Sequence, residues 1–141
     1  MTNHKNIEHK NFNCIEKWKK IIFTGKLDML EKIIDENAIF YSPVVFKPQE
    51  GKQKVLKYLS AAVKIFQNKD FKYTKIISNT TYTCAEFEAS FNNILVNGID
   101  IITTRSNLII EFKVFLRPLK GIDVVKHAMR ENLTSSDLLY K

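Results

Sequence analysis

The chain has 141 residues, and its 45% hydrophobic and 26% charged composition is that of a globular protein, which argues against a disordered chain and allows one domain with a core. Lys and Arg total 22 against 15 Asp and Glu, a formal net charge of +7 that by itself suggests nucleic acid. The distribution argues the other way, because only Arg105, Arg117 and Arg130 supply fork-shaped donors and the lysines are spread along the chain.

Met1 to Asn13 is polar and carries Lys5, Glu8 and Lys10, without the apolar stretch of a secretory signal. No apolar run is long enough to cross a bilayer. The expectation is a cytoplasmic protein with no membrane partner, in which Cys14 and Cys84 stay reduced. No CxxC, HExxH, P-loop or GxGxxG pattern occurs, and only 4 glycines are available for a phosphate-cradling loop. His4 and His9 are five apart, the wrong spacing for one helix face, and the remaining histidine is His127; neither metal nor cofactor is expected.

In chain order, Ile7, Phe12, Ile15, Trp18, Ile22 and Phe23 recur near helical spacing and predict a helix from about Asn6 to Thr24, stopped by Gly25. Leu27 to Asp35 reads as a second, short helix with Leu30, Ile33 and Ile34 apolar. Ala38 to Phe46 is β-branched and aromatic, and Pro43 makes it an edge or bent strand. Pro48 to Gly51 reads as a loop. Lys52 to Asn68 is the clearest amphipathic helix, with Val55, Leu59, Ala62, Val63 and Phe66 as its apolar stripe. The period then changes to two. Phe71 to Ser78 predicts one strand, and Tyr82 to Asn92 another, with Ala85, Phe87, Ala89 and Phe91 on one face and Glu86, Glu88 and Ser90 on the other. Asn97-Gly98 reads as a connection, by its turn chemistry. Ile99 to Thr104 and Leu108 to Leu116 are two further strands around a turn at Arg105 to Asn107. Pro118 ends the sheet, Asp123 to Asn132 is a final helix, and Thr134 to Lys141 is expected to fray. Helices come first and strands later, so the class is α+β in one domain over 1–141, with its core about 8–130.

That order, with certain local words, resembles the NTF2-like fold and its SnoaL-like members. The words are Trp18 with Gly25-Lys26-Leu27-Asp28, Ala38 to Pro43, Gly51-Lys52 opening the long helix, Asn97 to Asp100, and Ile110-Glu111-Phe112 leading to Arg117-Pro118. The resemblance implies a cone: a strongly curved, mixed or antiparallel sheet wrapped around the N-terminal helices, with a pocket at the open end. It also implies a homodimer through the outer sheet face. The family spans isomerases, cyclases, dehydratases, hydrolases and binding modules, so the fold leaves the function open.

Ketosteroid isomerases, within that family, use an aspartate base with a tyrosine and a protonated aspartic acid as oxyanion hole. In this chain the base position before the strand proline is Ser42, which has no useful basicity without a neighbouring base. The helix tyrosine position is Trp18, whose N–H donates but gives up no proton. The acid position is matched by Asp100, which interrupts the apolar strand Ile99 to Ile102. A carboxyl there must be bonded, protonated or facing a wet cavity, so Asp100 is the first catalytic candidate; the alternative is an exposed strand residue, or one bonded to a nearby backbone group or tyrosine hydroxyl. His127 is a second candidate, as an acid/base partner from the last helix.

Trp18, Tyr41, Tyr58, Phe115 and Arg117 are candidate ligand-binding residues, although Trp18 and Tyr58 read more readily as core and Arg117 as a partner of Glu86 or Glu88. Glu86, Glu88, Glu111 and Lys113 read as one charged sheet surface rather than as an acid/base pair. The function expected is uptake of a small apolar ligand, with or without proton transfer; the alternative is a non-catalytic binding or dimerisation module.

Overall fold

A computed structural model describes residues 14–133. A helix over 14–24 (α1) buries Ile15, Trp18, Ile21 and Ile22 and ends at Gly25, whose φ of 75° provides the left-handed step that closes a helix. The two calls on flanking segments, Ile7 with Phe12 in the first helix and the tail from Thr134, lie outside the described residues.

The remaining elements are β1 (Ile34–Tyr41), β2 (Gln49–Glu50), α2 (Lys52–Phe66), β3 (Lys72–Ser78), β4 (Tyr82–Phe91), β5 (Ile94–Arg105), β6 (Leu108–Arg117) and α3 (Leu119–Asn132). The six strands form one sheet in the order β2-β1-β6-β5-β4-β3. β1 runs parallel to β6 and every other pairing is antiparallel, so the sheet is mixed. Register shifts in the β1–β6, β3–β4 and β5–β6 pairings introduce bulges, which bend a sheet. The helices lie against its inner face. Phe40, Phe87, Val96, Ile102 and Phe112 come from the strands, and they pack against Trp18 and Ile22 of α1 and Val55, Leu59 and Phe66 of α2. Gln67 ties the two helix ends together by donating to the Ile22 and Val63 carbonyls at 2.8 and 3.1 Å.

Three local readings are corrected. Leu27 to Asp35 is not a helix: a turn and a single 3-10 turn, Glu31–Ile33, lead directly into β1 at Ile34. Leu30, Ile33 and Ile34 are buried as their pattern required, but Ile34 is drawn into the sheet by pairing with Ile109. The loop at Pro48 to Gly51 contains β2, which pairs with Ile39 and Phe40. Asn97-Gly98 lies inside β5 rather than in a connection. The β4–β5 turn is Asn92-Asn93, with φ of 49° and 68°, the doubly left-handed geometry that two-residue hairpins need. Ser106 and Asn107 do the same between β5 and β6, at 54° and 61°.

Candidate functional site

The sheet and helices enclose a cavity of about 340 Å³, at the lower end of the range for small-molecule sites. Its walls are aromatic and aliphatic: Trp18, Phe40, Tyr58, Phe66, Phe71, Phe87 and Phe112, with Val114 and Leu116 from β6 and Val125 and Met129 from α3. The segment from Ser42 to Phe46 and the residues Lys126 and Arg130 border it as well.

Among the described residues Asp100 is the only carboxylate on this wall, and it is 5% exposed. Strand alternation puts it there. In β5, Val96, Gly98, Asp100, Ile102 and Thr104 face inward while Leu95, Asn97, Ile99, Ile101 and Thr103 face out. The Tyr73 hydroxyl donates to Asp100 Oδ2 at 2.5 Å, and the Trp18 indole N–H donates to the Tyr73 oxygen at 2.8 Å. Tyr73 stands on β3, two strands from Asp100, and its register partner is Phe87. Between them Ala85 lies opposite Asp100 on β4, and its one-carbon side chain leaves the space that the hydroxyl crosses. Asp100 Oδ1 makes no hydrogen bond to any described residue.

Burial pushes the Asp100 carboxyl up to about 7, and the Tyr73 hydrogen bond opposes part of that rise by favouring the ionised form. Tyr73 itself is driven well above its ordinary value by burial and then by the neighbouring carboxyl. The arrangement is an acid able to hold or release a proton near neutral pH, steadied on one oxygen by a tyrosine that keeps its own proton. Asp100 thereby meets the pKa condition for a general acid or base near neutrality.

Replacing Tyr73 by Phe tests this reading. The Asp100 carboxyl should then titrate above the wild-type value, because the bond favouring its ionised form is gone; carbon NMR of labelled aspartate reads it directly. The Trp18 N–H loses its acceptor, which should cost about 1–3 kcal/mol in urea unfolding. An unmoved titration would mean that the Tyr73 bond does not act on the carboxyl.

Trp18, Tyr58 and Asp100 are brought together at the cavity, whereas Tyr41, Phe115, Arg117 and His127 are not. The reason is period two. Phe40 points inward, so Tyr41 points out, where the Lys113 ammonium sits 4.5 Å above its ring. Phe112, Val114 and Leu116 point inward, so Phe115 and Arg117 lie on the outer face, where they pair with Ile99 and Asn97. Phe115 is 52% exposed there. Tyr41 and Phe115 border a separate shallow recess with Ser42, Pro43 and Lys113. Arg117 reaches Glu86 through Asn97, which accepts from Arg117 at 3.3 Å and donates to Glu86 at 3.1 Å. Glu111 pairs with Lys113 at 3.9 Å on the same face. His127 is exposed on α3 and borders neither recess, so the expected pairing with Asp100 is replaced by that of Tyr73. The Ser42 hydroxyl accepts the backbone N–H groups of Val44 and Val45 at 3.0 and 3.1 Å and so shapes the loop after β1. The sequence allows a tyrosine hydroxyl bonded to Asp100; the hydrogen-bond geometry assigns it to Tyr73 on β3, a residue that the sequence did not single out. The available signal was a tyrosine on the apolar face of a strand; nothing in the sequence brings that face to Asp100.

No protein-family model and no curated protein matches the chain. Solved structures do. A steroid Δ-isomerase from Pseudomonas aeruginosa is similar over 90% of this chain and 93% of its own, with 25% identity and a TM-score of 0.82. A bacterial protein with a cystatin-like fold from Silicibacter pomeroyi is similar over 90% and 91%, with 23% identity and a TM-score of 0.79. SalBIII, described as an epoxide hydrolase/cyclase-like enzyme in pyran-ring formation of the polyether salinomycin, is similar over 81% and 95%, with 18% identity and a TM-score of 0.64. The chain has the α+β NTF2-like fold that its local words implied.

Proposed function

We propose that the chain is a proton-transfer enzyme for a small, largely apolar molecule, with Asp100 as the acid/base group. The observation that carries this is a single carboxyl, among the described residues, on a largely apolar cavity wall, with one oxygen bonded to Tyr73 and the other without a bonded partner among those residues. Apolar walls make a carboxyl a stronger proton acceptor once ionised and hold substrate beside it. The isomerase and the cyclase-like enzyme among its structural relatives point to the isomerase, cyclase or dehydratase class of reaction.

Turnover of a panel of enolisable ketones, lactones and epoxides tests the reading. Asp100→Asn should lower turnover of any accepted substrate by about a hundred-fold or more, the usual contribution of a positioned acid or base. Unchanged turnover removes Asp100 from the chemistry.

A second reading, a ligand carrier without catalysis, draws on a specific observation. The Trp18 N–H is committed to Tyr73 and the Ser42 hydroxyl to its own loop, so the two other positions of the isomerase pattern are engaged within the protein. Native mass spectrometry separates the two readings: a retained apolar compound released unchanged favours the carrier, and one released altered favours the enzyme.

We further infer a homodimer through the outer sheet face. Ile77, Tyr82, Leu95 and Phe115 are exposed large apolar residues of that face, one on each of β3 to β6, and a partner's sheet would cover them. Phe115→Lys should shift sedimentation to the monomer mass, and an unchanged mass would relocate or remove the interface. A reducing compartment, the cytoplasm, is inferred from the two free thiols; burial pushes that of Cys14 up to about 11, far from the reactive range.

A further inference from the structure

We infer that the cavity takes an anionic amphiphile, with its apolar body among the aromatic walls and a carboxylate or phosphate monoester head at Lys126 and Arg130. The inference rests on the small-molecule site proposed above and names its substrate class.

The observation is the composition of α3 where it meets the cavity. Val125, Met129 and Leu133 border the cavity, and so do Lys126 and Arg130. Residues four apart are neighbours on one helix face, so the two cations stand together. Lys126 is half-buried and Arg130 exposed, which grades the pair from wall to rim. Long basic side chains of this kind lay their stems along apolar surface and keep the charged head at its edge.

Among the described residues neither cation has a counterion. Neither makes an ion pair or hydrogen bond with another described residue. The acids of the same helix, Asp123 and Glu131, do not border the cavity. Asp100 does, but its bonded oxygen is taken by Tyr73, which reaches it along the inner face from the edge strand β3. Two like charges one turn apart repel modestly, and a bound anion relieves that repulsion. The arginine fork matches a carboxylate or phosphate in two parallel bonds while the lysine adds a point charge. The net charge of +7 adds a long-range field that draws anions toward the molecule.

Four probes of one chain length test this by calorimetry with the full chain at pH 6 and low salt: decanoate, decyl phosphate, decanol and decylamine. Two partly exposed ion pairs together should favour at least one of the anions over decanol by about ten-fold. Decylamine should bind most weakly. The anion preferred identifies the head group. Lys126→Gln with Arg130→Gln should erase the preference and leave decanol affinity within about two-fold, because the apolar contacts remain. Raising the salt concentration on the wild-type protein should shrink the preference in the same direction, without any substitution.

Equal affinity of decanol and both anions overturns the proposal, as does a double variant that keeps the preference. Those two results leave the proton-transfer reading standing, since the Asp100→Asn assay does not depend on a head group. Failure of all four probes to bind overturns the proposal together with the apolar site beneath it.

Discussion

Asp100→Asn should stabilise the fold at pH 8 and leave it nearly unchanged at pH 4. The carboxyl titrates near 3.9 in an unfolded chain and at about 7 in the folded one. Below about pH 4 both states hold the proton, and the wild-type protein has the full benefit of a neutral buried acid. Between pH 4 and 7 the unfolded chain ionises first, so each rise in pH draws the equilibrium toward unfolding. Above pH 7 both states are ionised and the loss is complete. Three units at 1.36 kcal/mol each give about 4 kcal/mol. Asparagine keeps the shape and can still accept from Tyr73, but carries no such penalty. The difference in unfolding free energy between variant and wild type should therefore grow by about that amount from pH 4 to pH 8. Urea unfolding of both proteins at pH 4, 6 and 8 measures it. A difference that does not change with pH would mean that the native acid does not hold its proton toward neutrality, and the acid/base role would fall with it. The group proposed to carry the chemistry is thus one whose ionised form weakens the fold, a common bargain at active sites.

Gly98→Val should destabilise the protein by about 3 kcal/mol or more, at the upper end of overpacking costs. A Cβ at this position would lie 2.3 Å from Phe87 Cζ and 2.7 Å from the Phe115 carbonyl oxygen. Neither neighbour can retreat. Phe87 is 1% exposed and closed in by Phe66 and Phe71, with ring centroids at 5.6 and 5.2 Å. The carbonyl belongs to the backbone of β6, beside the Gly98–Leu116 pairing. Any shift of Phe87 moves the cavity wall and presses on Tyr73, whose ring is 6.2 Å away. The substitution should therefore lower stability and weaken ligand uptake together. Thermal unfolding with a parallel decanol titration separates the two effects. Native-like stability would show that the strand can move aside, contrary to the packing.

The glycine also explains how a strong local signal misleads. Asn97-Gly98 has the chemistry of a two-residue hairpin turn. Here the glycine answers to an aromatic ring lying over the strand, and the Asn92-Asn93 pair five residues earlier makes the turn. Nothing in the dipeptide distinguishes those uses. The segment from Leu27 to Asp35 misleads in the same way: Leu30, Ile33 and Ile34 satisfy helical spacing, yet their burial is achieved by a 3-10 turn and a strand. For Tyr41, Phe115 and Arg117 the needed information was present. Once Phe40 and Phe112 are assigned to the core, alternation sends all three to the outer face.

The sequence by itself determined the class, the long amphipathic helix, the alternation of β4 and the anomaly of Asp100, because each depends on the spacing of neighbours in the chain. It also carried enough local words to point to the fold. The tertiary structure alone decided which groups meet. The Trp18–Tyr73–Asp100 chain joins residues 55 and 27 positions apart through the register of three strands. The cations of α3 reach the cavity only because the helix folds back across the sheet. Spacing along a chain reports which face a residue takes; what stands across from that face is set by strand order, and no local pattern encodes it.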